Sequence, residues 1–140
     1  EGIKMSEEKI YTGSCLCGAI RYEIHGEIGE VIQCHCKRCR KANGTAFATN
    51  APIKKADFKI VQGEHLLKKF ASTPTTARCF CSECASPIIS IKAETPDTYR
   101  LRIGTLDTAL EQKPTMHIFT VYKAEWDTIC DGLPQYDERP

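Results

Sequence analysis

Apolar and polar residues in this chain alternate over short stretches and never settle into a sustained 3.6-residue stripe. Residues 19–24 run Ala, Ile, Arg, Tyr, Glu, Ile, with the β-branched and aromatic content of a strand. The same reading predicts strands at 31–36, 46–50, 58–62, 66–71, 77–80, 88–93, 98–103 and 117–122. Residues 37–43 are polar and basic and read as a turn or a single helical turn, closed by the turn signal Asn43-Gly44. Pro52, Pro74, Pro87, Pro96, Pro114 and Pro134 fall between these runs or at their edges, where proline is tolerated. Many short strands at close spacing predict an all-β domain with little helix, built from two small sheets.

The length of 140 residues suits one domain able to bury a core without staples. The boundaries read as a flexible N-terminus at 1–10, a folded domain at 11–133 and a tail at 134–140. Glu1 to Lys4 precede Met5, which fits a native start at Met5 with four added residues before it. A formal net charge of +1 provides no global field for nucleic acid or an anionic membrane. No apolar run approaches the roughly 18 residues of a membrane-spanning helix. The absence of a secretory apolar segment predicts a cytoplasmic protein.

Nine cysteines change this picture. An odd number without an export signal fits a disulfide framework poorly. Buried core thiols would scatter through apolar stretches. These cysteines cluster instead: Cys15 and Cys17; Cys34, Cys36 and Cys39; Cys79, Cys81 and Cys84; and a lone Cys130. The C-x-C pair Cys15/Cys17 and the C-x-x-C pair Cys81/Cys84 can supply the four thiolates of a closed tetrahedral zinc site. In an extended chain Cys15 and Cys17 point to one face, so both sulfurs reach one ion. The long gap between the pairs requires the fold to bring distant segments together, unlike a simple zinc ribbon.

Cys34-His35-Cys36-Lys37-Arg38-Cys39 offers three thiolates from six residues. Three ligands from one short loop leave a fourth position open, the arrangement of a catalytic site. The alternative is a second closed site completed by His35, His117 or Cys79. His35 lies between two ligands of a C-x-C, so its ring should face away from them. Lys37, Arg38, Arg40 and Lys41 surround the cluster. They can offset a site that Zn²⁺ and three thiolates leave at −1, or hold carboxylates of an acidic ligand; a solvated basic loop reads equally well. Cys79 and Cys130 read as spare thiols.

The residues resemble the family of glutathione-dependent formaldehyde-activating enzymes, grouped with centromere protein V. The resemblance rests on Gly13-Ser14-Cys15-Leu16-Cys17-Gly18-Ala19-Ile20-Arg21-Tyr22, on Cys34-His35-Cys36-Lys37-Arg38-Cys39-Arg40-Lys41 and on Gly44-Thr45-Ala46-Phe47. It continues in Phe80-Cys81-Ser82-Glu83-Cys84 and in the stretch from Trp126 to Tyr136. It implies a β-tent fold with a structural zinc on Cys15, Cys17, Cys81 and Cys84. It implies a second, labile or catalytic zinc on Cys34, Cys36 and Cys39. It also implies a carbon–sulfur lyase that makes or cleaves S-hydroxymethylglutathione, or a related adduct of a small thiol with an aldehyde. Lys37, Arg38 and Arg40 are then the candidate contacts for the glutathione carboxylates. One residue departs from the family pattern: Ala85 follows the C-x-x-C pair where the family usually has Gly, which predicts a turn slightly strained or differently wound. Two other functions fit the cysteines: a non-catalytic zinc scaffold or interaction protein and a thiol redox sensor. Against a third, a nucleic-acid module, the near-neutral charge and single short basic loop count.

Overall fold

The computed structural model describes residues 9–140, so most of the expected flexible N-terminus lies outside the described residues. Ten strands and one short helix follow in order: β1 Ile10–Ser14, β2 Arg21–His25, β3 Ile32–Cys34, α1 Lys37–Asn43, β4 Ala48–Lys54, β5 Phe58–Gln62, β6 Leu67–Thr73, β7 Thr76–Cys81, β8 Pro87–Lys92, β9 Thr98–Arg102 and β10 Met116–Ile118. They form a three-stranded sheet, β1-β2-β5, and a seven-stranded sheet, β10-β3-β4-β9-β8-β7-β6. Every pairing is antiparallel except β10 with β3. The chain is therefore all-β, as its alternation predicts.

The core lies between the sheets. Tyr11, Tyr22 and Ile24 of the small sheet share one buried cluster with Ala51, Ile53, Ile89 and Leu101 of the large one. The Tyr22 ring packs on Phe58 at 5.2 Å between centroids, and Phe58 meets Tyr99 edge-on at 5.8 Å. Tyr22 crosses its strand partner Gly13 so closely that a Cβ there would fall 2.1 Å from the ring, which reserves this position for glycine. The phenol of Tyr22 hydrogen-bonds Thr105 Oγ1 at 2.7 Å, which satisfies its buried polar end.

Strand pairing assigns the two faces of the large sheet. Leu101 lies beside Ala51 and Ile89, and Tyr99 beside Ile53 and Ile91, all on the core side. The intervening residues share the opposite face. Arg102 lies beside Asn50, Arg100 beside Ser90, and Ser90 beside Arg78. Because side chains alternate along a strand, this second face is polar along its middle strands.

Several strand ends differ from the expectation. The strand expected at 31–36 stops at Cys34, because Cys36 becomes the cap of α1. The strand expected at 117–122 stops at Ile118; Phe119 adopts a left-handed conformation (φ 56°) and a 3₁₀ turn follows at Thr120–Tyr122. Pro52 lies inside β4 rather than at its edge. Its carbonyl accepts from Gly29 N–H on the side where the β3 ladder has already ended, so no ladder amide is lost there. Residues 134–138 exchange backbone hydrogen bonds with 117–121, including Tyr136 N–H to His117 O at 2.9 Å.

Candidate metal centres and cleft

The first cysteine group joins the two sheets. Cys15 and Cys17 follow β1, while Cys81 ends β7 and Cys84 closes the turn after it. The four sulfurs lie within 4.8 Å of one another. Cys15 Sγ is 3.6 Å from Cys17 Sγ, which is 3.9 Å from Cys81 Sγ. A tetrahedron with Zn–S bonds of about 2.3 Å has edges of about 3.8 Å, so these two separations match a tetrahedral zinc site. Backbone amides point at the sulfurs: Ile20 N–H donates to Cys15 and Glu83 N–H to Cys81, both at 3.3 Å. The C-x-C pair achieves this in a turn rather than in extended chain, with Gly18 N–H bonded to Cys15 O. Ser86 ties the two turns together. Its hydroxyl accepts from Leu16 N–H at 3.1 Å, and its carbonyl accepts from Cys81 N–H at 3.0 Å.

Ala85 occupies the family's glycine position at φ 67°, with its N–H bonded to Cys81 O at 2.7 Å. The turn is thus wound as glycine would wind it, and the methyl group bears the strain.

The second group sits where β3 passes into α1. Cys34 ends the strand, Cys36 caps the helix by accepting from Cys39 N–H at 3.3 Å, and Cys39 is buried in its first turn. Gly44 ends the helix in a left-handed conformation, and its N–H returns to Arg40 O at 2.7 Å. The three sulfurs lie within 4.8 Å of one another, and no fourth His, Cys, Asp or Glu joins them among the described residues. Hydrogen bonds from the Cys34 and Cys39 thiols hold Cys36 far below the ordinary thiol range. The corresponding bonds to Cys36 and Cys39, together with burial, push Cys34 far above it. Three crowded sulfurs thus favour one thiolate among them, and a cation is what would let all three ionise.

The alternative donors lie elsewhere. His35 is fully buried, and its Nε2 meets His117 Nδ1 at 2.8 Å. His117 Nε2 in turn meets Asp131 Oδ2 at 2.8 Å. Burial, then the neighbouring His117, lowers the His35 pKa, which favours a neutral ring. Cys79 is buried in the core between the sheets, where burial pushes its thiol up. Cys130 is exposed.

A cleft of about 600 Å³ opens over the polar face of the large sheet, and Cys34, Cys36 and Cys39 line it. Lys37, Arg38 and Lys41 of α1 stand along it with Arg139, while Arg78, Lys92, Arg100 and Arg102 line it from the sheet. These are eight cationic side chains, and among the described residues no Asp or Glu lines the cleft. Arg40, which sequence spacing groups with Lys37 and Arg38, does not line it; its Nε is buried without a hydrogen-bond partner among the described residues. The sheet cations were missed because they come from three separate strands. The available signal was alternation: Arg100-Leu101-Arg102 places both charges on one face of a strand whose other face is apolar.

Comparison with known proteins agrees with this architecture. The family model of the glutathione-dependent formaldehyde-activating enzyme matches residues 10–122. A protein of Halomonas elongata named "Putative glutathione-dependent formaldehyde-activating enzyme" is 31% identical over 125 residues, which cover 84% of this chain and 79% of that protein. The crystal structure of a Rhodobacter sphaeroides protein superposes with a TM-score of 0.60 at 23% identity, over 71% of this chain and 90% of the other, and so shares the fold. The extent of the family match and the identity to the Halomonas protein lead to one conclusion: this chain belongs to the glutathione-dependent formaldehyde-activating enzyme family.

Proposed function

We propose that the protein is a zinc-dependent carbon–sulfur lyase that forms or cleaves S-hydroxymethylglutathione, or a closely related thiol–aldehyde adduct. The observation that carries this reading is the three-sulfur group at Cys34, Cys36 and Cys39, which opens onto a cationic cleft with no fourth protein donor among the described residues. Cys15, Cys17, Cys81 and Cys84 hold a structural zinc, and Cys34, Cys36 and Cys39 hold the second. Zinc bound at the second group supplies a Lewis-acidic position that keeps a thiol sulfur ionised at neutral pH.

The residues of the cleft do the remainder. Lys37, Arg38 and the sheet cations draw in an anionic thiol and orient it, which supplies much of the acceleration. The thiolate pair attacks the aldehyde carbon, a C–S bond forms, and the carbonyl π pair moves to oxygen, which takes a proton. The reverse sequence releases the aldehyde. His35 stands behind the sulfurs in contact with Phe47, at 5.0 Å between ring centroids, and with His117. There it sets the position of the loop between Cys34 and Cys36. None of the nine cysteines is in a disulfide, so seven are available as ligands for the two zinc ions.

The test is an exchange measurement between formaldehyde and glutathione with zinc-loaded protein. Formation of S-hydroxymethylglutathione should be faster than in buffer and should return to the buffer rate in Cys36→Ser. A rate equal to buffer would contradict the lyase reading and favour a zinc-binding scaffold.

A further inference from the structure

The cations of the cleft are of two kinds. Lys37, Arg38 and Lys41 are exposed on α1, where solvent and salt screen them. Arg78, Arg100 and Arg102 instead rise from the middle of the large sheet. Ser90 stands between Arg78 and Arg100 in the strand register, and Arg102 lies two residues along the same strand. Arg102 is only 6% exposed. Its Nη1 donates to Ser90 Oγ and to Arg100 O, both at a long 3.4 Å. Among the described residues its Nε has no hydrogen-bond partner, and neither has Nη1 of Arg100.

Among the described residues, no carboxylate forms an ion pair with any of the three. Glu94 acts on Arg100 only from beyond ion-pair distance. Burial pulls Arg102 down to about 10, and negative charge in the neighbouring cysteine group is what holds it up. A buried cation without a counterion is costly, and two half-buried neighbours of the same sign, Arg78 and Arg100, add to the cost at Arg102. Zinc with three thiolates carries a single negative charge, too little to balance this floor as well as the rim.

We propose that Arg78, Arg100 and Arg102 form an anion-recognition floor that reads a carboxylate of the thiol substrate. The floor makes the cleft selective for a thiol bearing carboxylates over a neutral one. This rests on the reading of the cleft as a thiol site. It differs from carboxylate capture by the exposed α1 residues in one measurable way: the selectivity of a floor centred on buried Arg102 and flanked by half-buried Arg78 and Arg100 persists at high salt, whereas that of the rim fades.

Calorimetry on the zinc-loaded protein can compare glutathione, its carboxyl ethyl esters and S-methylglutathione at 0.15 M and 0.5 M salt. Changing the ligand leaves the fold untouched. Glutathione should bind about 10-fold or more tightly than its diester at both salt concentrations. Arg78→Gln and Arg100→Gln should each remove most of that difference. S-methylglutathione should bind more weakly than glutathione and lose its binding in Arg100→Gln. Equal affinity for glutathione and its diester would overturn the floor while leaving thiol capture intact. Carboxylate selectivity with S-methylglutathione binding as tightly as glutathione would keep the floor and overturn thiol capture. Selectivity that disappears at 0.5 M salt would assign it to the rim and overturn the floor.

Discussion

Ala85 carries a side chain where the backbone conformation favours none. At φ 67° a methyl group meets the steric cost that keeps most L-residues out of the left-handed region, about 1–2 kcal/mol. Glycine removes that cost but gives back part of it through a more flexible unfolded chain. Ala85→Gly should therefore stabilise the protein by roughly 0.5–1 kcal/mol, a rise of a few degrees in melting temperature. Thermal unfolding of the zinc-loaded variant checks this. An unchanged or lower melting temperature would show that the turn is relaxed around alanine. The departure from glycine was visible in the sequence; the conformation it occupies was not, because φ is decided by closure of the turn onto Cys81.

At the scale of elements, the two cysteine groups connect different things. Cys15 and Cys17 belong to the turn between β1 and β2, and Cys81 and Cys84 to the turn between β7 and β8, so a zinc there ties the small sheet to the large one. Cys34, Cys36 and Cys39 lie within one strand-to-helix junction, and a zinc there crosslinks only local chain. Cys17→Ser should cost most of the folding stability, and chelators should remove that zinc last. Cys36→Ser should lower the melting temperature by only a few degrees while losing the second zinc. Equal losses in the two variants would contradict this division.

Much of this was legible. Short-range spacing identifies which cysteines converge into groups that could hold an ion, because C-x-C and C-x-x-C leave few geometries. Alternation locates most strands, including β5 at Phe58–Gln62. The ends of β3 and β10 were not legible, since a helix cap at Cys36 and a left-handed Phe119 override strand propensity there. Nor was the floor of arginines. Which strands lie side by side is a tertiary fact, and only the order β4-β9-β8-β7 brings Asn50, Arg102, Arg100, Ser90 and Arg78 onto one surface.

For the whole molecule, the two faces of the large sheet divide the tasks. One face packs against the small sheet and builds the core. The other carries charge and underlies a cleft with three sulfurs in its lining. Among the described residues no helix is long and apolar enough to cross a membrane. The proposed chemistry requires an open metal position at Cys34, Cys36 and Cys39. Cobalt substituted at that group reports its ligands through sulfur-to-metal charge-transfer bands. Added glutathione should change those bands, and S-methylglutathione, which cannot offer a thiolate, should leave them as they were. Bands that do not move with glutathione would mean that the site is already closed, and the thiol chemistry proposed for the cleft would be wrong.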